Sequence, residues 1–162
     1  MNEFEKRMHR VCFTGHRPER LHMREEVVKS ALLSEIIKAI YDGKNVFISG
    51  MARGVDLWAA EIIVGLREEY PELKLICASP YEGFEKCWSK EWKKLYTEIL
   101  KKADLVRFIC PQYSGFSYQR RNEWMVNHSS RVIAVWNGEK SGTQNTIRYA
   151  EKCGVCVINV YE

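Results

Sequence analysis

The chain has 162 residues, a length that predicts one domain with a hydrophobic core large enough to fold without disulfides or metal. Its 25 basic and 21 acidic residues give a formal net charge of +4, which permits an anionic partner without requiring one. Hydrophobic residues make up 46% and charged residues 28%, and these globular proportions exclude disordered, collagen-like and low-complexity chains.

Short β-rich runs alternate with longer helical patterns along the whole chain. In chain order we predict a strand at 10–14, a helix ending at 42–43, a strand at 45–49, a helix ending before 70–71, a strand at 73–78, a helix at 88–99, a strand at 105–110, a helix at 118–127, a strand at 131–136, a helix at 143–152 and a strand at 155–160. Most predicted strands are continuously apolar, which is typical of parallel strands covered on both faces. The pattern predicts an α/β fold, a Rossmann-like three-layer sandwich with a mostly parallel sheet of about six strands, in one domain over 1–162.

The helical predictions depend on apolar residues that recur at helical spacing. Leu33, Ile36, Ile37 and Ile40 form such a stripe in the first predicted helix. In the third, the stripe comprises Trp88, Trp92, Leu95 and Ile99. Each stripe is expected to pack against the sheet.

Membrane and metal chemistry are not expected. No apolar run reaches the length of a membrane span, and the polar segment 1–10 lacks the core of a signal peptide, so we expect a soluble cytoplasmic protein. Four of the six cysteines, Cys12, Cys77, Cys110 and Cys156, lie in strand-like runs where a reduced thiol acts as a small hydrophobe. The histidines show no metal-ligand spacing, and no cofactor is implied.

The loop after the second predicted strand is the sharpest candidate for ligand binding. Gly50 follows that strand and Gly54 opens the next helix. Without a Cβ, glycine lets a phosphate approach the amides at the positive end of a helix. In the alternative interpretation, Gly50 supports a tight turn and Gly54 gives the helix clearance from the strand. The spacing is neither G-x-G-x-x-G nor a P-loop, so neither ordinary dinucleotide binding nor P-loop hydrolysis is predicted.

A second glycine-containing loop precedes the last predicted helix, and the same interpretation as a phosphate-binding helix start applies to it. Gly142 and Thr143 stand at its start, and the Thr143 hydroxyl is either a helix cap or an anion ligand. Four arginines are expected around this edge of the sheet, where each is either a phosphate ligand or a solvated surface charge: Arg17, Arg53, Arg120 and Arg121.

Four ordered segments resemble a known family over nearly the whole chain. They are 12–21 (CFTGHRPERL), 48–61 (ISGMARGVDLWAAE), 118–129 (YQRRNEWMVNHS) and 136–146 (WNGEKSGTQNT). Together they resemble the SLOG superfamily of Rossmann-like proteins, and specifically its YpsA-like branch. The loop 49–56 and the pair Arg121 and Asn122 also resemble the related DNA-processing protein A family.

The resemblance implies a nucleotide or nucleotide-derived ligand at the carboxyl edge of the sheet, bound by a sensor or a nucleotide-processing protein. It also implies a homo-oligomer. The ligand-binding residues that we expect are Thr14, Gly15, His16, Arg17, Ser49, Gly50, Met51, Ala52, Arg53, Gly54, Asp56, Arg121, Asn122, Glu123, Gly142 and Thr143. The glycines with Ala52 and Thr143 would hold phosphate, the arginines would supply charge, and Asp56, Asn122 and Glu123 would orient the sugar.

Two alternatives stay open. The related cytokinin-activating phosphoribohydrolases cleave the N-glycosidic bond of nucleoside monophosphates and carry P-G-G-x-G-T-x-x-E, of which this chain keeps only Gly142 and Thr143, with Thr146 in place of the glutamate. Asp56 or Glu123 would then supply the carboxylate that stabilises the sugar cation, although Asp56 also suits a first helical turn and Glu123 also suits an arginine partner. Single-stranded nucleic-acid binding is the second alternative, which the modest charge disfavours.

Overall fold

The computed structural model describes residues 1–161 and contains six helices and six strands over that range. In chain order they are α1 (Glu3–Met8), β1 (Arg10–Gly15), α2 (Glu25–Tyr41), β2 (Val46–Ser49), α3 (Val55–Leu66), β3 (Lys74–Ser79), α4 (Lys90–Lys102), β4 (Leu105–Phe108), α5 (Ser117–Asn127), β5 (Arg131–Val135), α6 (Gly142–Lys152) and β6 (Cys156–Asn159). A single 3-10 turn, Pro18–Arg20, follows β1. The predicted α/β Rossmann-like fold is confirmed.

All six strands are parallel and lie in the order β4-β3-β2-β1-β5-β6. From β1 the chain moves outward to β4, and it then returns to the other side of β1 to form β5. The loops after β1 and β5 therefore lead to helices on opposite faces of the sheet. A crevice opens between these two loops at this topological switch point. Gly15 pairs with Val135, so the two strands end side by side at that crevice.

The helices form two layers of unequal extent. Helices α2, α3 and α4 pack in sequence on one face, and α5 packs with α6 on the other. Alternate residues of one strand pack against the two helix layers, because successive side chains point to opposite faces of the sheet. Phe13 stacks on Phe47 in the larger core, with ring centroids 6.1 Å apart, while Cys12 belongs to the smaller core. No helix within residues 1–161 is long and apolar enough to cross a membrane.

The structure differs from the sequence predictions at several element boundaries and faces. The buried stripe of α2 is Val28, Leu32, Ile36 and Ala39, and the predicted Leu33 is 41% exposed. Both stripes have helical spacing, and only the packing partner selects between them.

The sequence predictions also differ from the structure at the starts of two helices, α1 and α4. Helix α1 was not predicted, although Asn2 and Glu5 form a capping box at its start. Trp88 precedes α4, because the side chain of Ser89 caps the helix that begins at Lys90. Cys156 is exposed because β6 is an edge strand.

Candidate functional site

A cavity of about 200 Å³ lies at the carboxyl end of β1, between the loop that follows this strand and the first turns of α5 and α6. Its lining residues come from four separate loops and helix starts. They are Thr14, Gly15, His16, Arg17, Arg20, Ala52, Asp56, Tyr118, Arg121, Asn122, Ser141, Gly142 and Thr143.

Most of the residues that the sequence proposes as ligand contacts line this cavity. Those that do not are Ser49, Gly50, Met51, Arg53, Gly54 and Glu123. Three lining residues were absent from the proposed set, namely Arg20, Tyr118 and Ser141. Contact of any of them with a ligand stays a prediction.

Two amides of the loop between β2 and α3 are engaged by side chains of the chain itself. The hydroxyl of Ser49 accepts a hydrogen bond from the Met51 N–H at 3.2 Å. The carboxyl Oδ2 of Asp56 accepts one from the Ala52 N–H, also at 3.2 Å. These two donors are therefore already engaged within the chain, and phosphate binding at this loop stays a prediction that depends on its other amides.

The two glycines of that loop make room for protein groups. A Cβ on Gly50 would lie 2.8 Å from Asp56 Oδ2 and 3.0 Å from Arg121 Nη1, so glycine here lets two charged side chains converge. Gly54 has a φ of +91°, and a Cβ on it would lie 2.9 Å from Pro18 Cδ. Gly54 thus starts α3 against the turn that follows β1.

Arg121 and Asp56 form a buried, charged back wall of the cavity. The Arg121 Nη1 donates to the Gly50 carbonyl, and its Nε donates to Asn122 Oδ1 at 2.8 Å. Its guanidinium also lies over the ring of Phe84, 5.8 Å from the centroid. Burial lowers the pKa of Arg121, which nevertheless stays protonated as arginines do. Burial raises the pKa of Asp56, and the positive charge of Arg121 opposes that rise.

His16 carries an unpartnered hydrogen-bond donor. Its Nε2 lies 3.1 Å from the backbone N–H of Asn137, which can only donate, so Nε2 must accept and Nδ1 must carry the proton. The side chain is buried, with 2% exposure for the residue, and Nδ1 has no hydrogen-bond partner. Burial lowers the pKa of His16, which keeps the ring neutral near pH 7. Within residues 1–161, no three His, Cys, Asp or Glu side chains form a potential metal site.

The arginines at this edge differ in how far they are already engaged. Arg20 donates to Glu139 at 3.2 Å. Arg53 is outside the lining and forms an ion pair with Glu19 at 2.7 Å, which lowers the pKa of Glu19. Arg17 has no carboxylate within 4.0 Å among the described residues, and its guanidinium lies 5.7 Å from the ring centroid of Tyr118. Arg17 is therefore the arginine of the cavity that is most available to an incoming anion.

The first turn of α6 contributes backbone as well as side chains. Ser141, and not Thr143, is the helix cap, since its side chain accepts from the Gln144 N–H at 3.2 Å. The first amides of a helix have no partner within the helix, and they form its positive end. Because Gly142 and Thr143 both line the cavity, this positive end faces it.

Helical geometry explains which residues of α5 reach the cavity. Tyr118, Arg121 and Asn122 stand at spacings of three and four, which places them on one face of the helix. Glu123 lies off that face and accepts a hydrogen bond from Gln119 Nε2 at 3.0 Å, instead of pairing with an arginine. The same helical spacing is visible in the sequence, where it indicates that Tyr118 shares a helix face with Arg121 and Asn122 and that Glu123 does not.

Comparisons with known proteins identify the family and the fold of the chain. The model of the YpsA family, described as the YspA SLOG family, matches residues 11–153. The chain belongs to this family. It is 31% identical over 147 residues to the uncharacterized SPbeta prophage-derived protein YoqJ of Bacillus subtilis, a match that covers 83% of this chain and 84% of that relative. The family resemblance of the four sequence segments is thereby confirmed.

Two solved structures share the fold of this SLOG protein. DNA processing protein A from Streptococcus pneumoniae superposes with a TM-score of 0.65 at 22% identity, covering 93% of this chain and 49% of that one. The structure of DNA processing protein A from Helicobacter pylori, described for its single-stranded DNA binding mode, gives 0.65 at 21% identity, covering 96% and 66%. At these identities the similarity establishes the fold alone.

Proposed function

We propose that the cavity binds the phosphate-bearing end of a nucleotide or nucleotide-derived small molecule. Three arginines line it, Arg17, Arg20 and Arg121, against the single lining carboxyl group of Asp56 within the described chain. The planar fork of arginine suits phosphate oxygens, so this balance favours an anionic ligand.

The observation that carries the proposal is Arg17, which lines the cavity and has no carboxylate within 4.0 Å among the described residues. An arginine without a carboxylate partner is available to bind the oxygens of a phosphate group. Gly142 and Thr143, at the positive end of α6, line the same cavity and suit the same anion. The phosphate position that we propose is therefore between Arg17 and the start of α6.

The sugar position that we propose lies between Asp56 and Asn122. Asp56 Oδ2 is held by the Ala52 N–H, and Asn122 Oδ1 is held by Arg121, which leaves the second oxygen of Asp56 and the amide nitrogen of Asn122 available. Sugar hydroxyls both donate and accept hydrogen bonds, so an acceptor beside a donor suits them. Both residues line the cavity.

Calorimetric titration with nucleoside mono- and diphosphates, ADP-ribose and cyclic dinucleotides tests the proposal. For whichever of these binds, Arg17→Gln is expected to lower the affinity by about 10- to 100-fold, since a hydrogen bond from a charged group contributes about 1.5–3 kcal/mol. Chromatography of the same samples for free base tests the hydrolase alternative, in which Asp56→Asn should abolish base release.

Arg53→Gln is the matched control. Arg53 is at the same edge of the sheet but outside the cavity lining, and it is already paired with Glu19. Its replacement should leave nucleotide affinity unchanged. The proposal fails if none of these nucleotides binds, or if the two substitutions weaken binding equally.

A second candidate function is binding of single-stranded nucleic acid, and exposed aromatic side chains favour it. Tyr113 is 61% exposed and Phe116 is 70% exposed, in the segment that leads into α5 and the cavity. Stacking of bases on exposed aromatic rings is a common mode of single-strand recognition. The Helicobacter pylori neighbour is described for such binding. Fluorescence anisotropy with labelled oligothymidylate tests this function, in which Phe116→Ser should weaken binding of the oligonucleotide and leave that of a mononucleotide unchanged.

A further inference from the structure

Tyr118 stands where the cavity meets a cluster of aromatic side chains. It lines the cavity and is 37% exposed. Its ring stacks on that of Tyr81, with centroids 6.3 Å apart and planes 23° apart, and the two hydroxyls lie 3.4 Å from each other. Phe84 and Tyr113 contact the same ring, with centroids 5.5 Å and 6.3 Å away. The surrounding rings hold Tyr118 in place before any ligand arrives.

The size of the cavity indicates that part of a nucleotide must lie outside it. Sites that enclose a whole small ligand usually measure about 300–1,000 Å³, and this cavity measures about 200 Å³. The phosphate and sugar positions proposed above use the polar residues of the interior. The base is then left at the rim, where Tyr118 is the aromatic member of the lining.

We propose that the base of the bound nucleotide stacks on Tyr118, in the place that the Arg17 guanidinium holds in this structure. The inference rests on the proposed function and extends it, because it assigns the recognition of a planar base to one residue. An exposed cation–π contact is weaker than the stacking of a base on an aromatic ring, so the base displaces Arg17. Arg17 has no carboxylate partner within the described chain, and it is then free to bind the phosphate.

Calorimetry with a fragment pair, ribose 5-phosphate and adenosine 5′-monophosphate, measures the contribution of the base directly. The two compounds share the phosphate and the sugar and differ in the base. With the unmodified chain, the nucleotide should bind about 10-fold or more tightly than ribose 5-phosphate, the range expected for stacking on one aromatic ring. In Tyr118→Ala this difference should disappear, while ribose 5-phosphate binds within about twofold of its original affinity.

Two further variants separate stacking from other effects. Tyr118→Phe keeps the ring and loses only the hydroxyl, so it should retain the preference for the nucleotide. Phe116→Ala removes a ring that is 70% exposed and outside the cavity lining, and it should also retain the preference.

The outcomes distinguish this inference from the proposed function. If the nucleotide and ribose 5-phosphate bind equally well to the unmodified chain, the inference is overturned and the proposed phosphate site stands. Equal weakening of both ligands by Tyr118→Ala also overturns it, because the ring would then support the cavity and not the base. If neither compound nor any other nucleotide binds, the proposed function itself fails.

Discussion

Gly15 ends β1 against the first residue of α3, where the structure leaves no room for a side chain. A Cβ on Gly15 would lie 2.5 Å from Val55 Cγ2, 2.6 Å from Val55 Cβ and 2.8 Å from Val55 Cγ1. Non-bonded carbon atoms are at their closest favourable separation at about 3.5 Å. Val55 is fully buried and β-branched, so its side chain cannot rotate away. We therefore expect Gly15→Ala to displace the start of α3 and, with it, Asp56.

The expected loss of stability follows from two opposing terms. Overpacking a buried site costs about 1–3 kcal/mol, and three contacts well below van der Waals distance place Gly15→Ala at the upper end. Reduced freedom of the unfolded chain returns about 0.4–1 kcal/mol. The free energy of unfolding should fall by about 2–3 kcal/mol, which corresponds to a Tm lower by roughly 4–12 °C for a chain of this length.

A double-mutant cycle with Val55→Ala tests the steric cause. Val55→Ala alone removes two buried methyl groups and should cost about 1–3 kcal/mol. In the double variant the contacts with the two Val55 methyl groups are gone while the 2.6 Å contact with the Cβ of residue 55 remains, so the clash is only partly relieved. The total loss should be smaller than the sum of the single losses by about 1–2 kcal/mol, measured by urea unfolding at an unchanged m-value. Losses that add to within about 0.5 kcal/mol would refute the reasoning.

Three further predictions use the same unfolding assay. Gly65→Ala, an exposed position of α3 where no atom lies within 4 Å of the added Cβ, should raise the free energy of unfolding by about 0.5–1 kcal/mol. Because burial lowers the pKa of His16 from 6.5, its contribution to stability is present above pH 6.5 and is lost as the pH falls through the lower folded pKa. His16→Gln should flatten the stability profile below pH 6.5, where one extra proton on the unfolded chain contributes at most about 1.4 kcal/mol per pH unit. Arg53→Gln breaks an exposed ion pair with Glu19 and should change stability by less than about 1 kcal/mol, and a larger loss would contradict the view of Arg53 as a surface group.

The fold was predictable because its signals are local. Apolar runs such as 45–49 and 131–136 indicate buried parallel strands. The structure has β2 and β5 at these places, and each strand differs from the predicted range by one residue at one end. The predicted boundary was wrong at the edge strand β4, which ends at Phe108 and not at 110, although the amides of Ile109 and Cys110 still donate to the carbonyls of Ser79 and Pro80. The face of α2 could not be chosen, since Leu33 and Leu32 both belong to a stripe of helical spacing.

The candidate site was predictable as a location and not as a set of contacts. The rule that ligands bind beyond the carboxyl ends of parallel strands identifies the loops that surround the cavity. It says nothing about which amides are already satisfied. That Arg121 of α5 reaches the Gly50 carbonyl 71 residues away in sequence is a long-range contact without a local signature. The hydrogen bond from Ala52 to Asp56 is local, but the sequence does not show that this carboxyl group accepts from that amide.

The glycines of the site show why a glycine-rich loop is ambiguous in sequence. The absence of a Cβ permits close approach of any group, and at Gly50 the approaching groups are Asp56 and Arg121 of the chain itself. By contrast, a Cβ on Gly142 would have no atom within 4 Å, and that glycine lines the cavity at the positive end of α6. Open space beside unpaired helix amides distinguishes a ligand-facing glycine from one that serves packing. By this criterion we expect an anion at the start of α6, where Arg17 lines the same cavity.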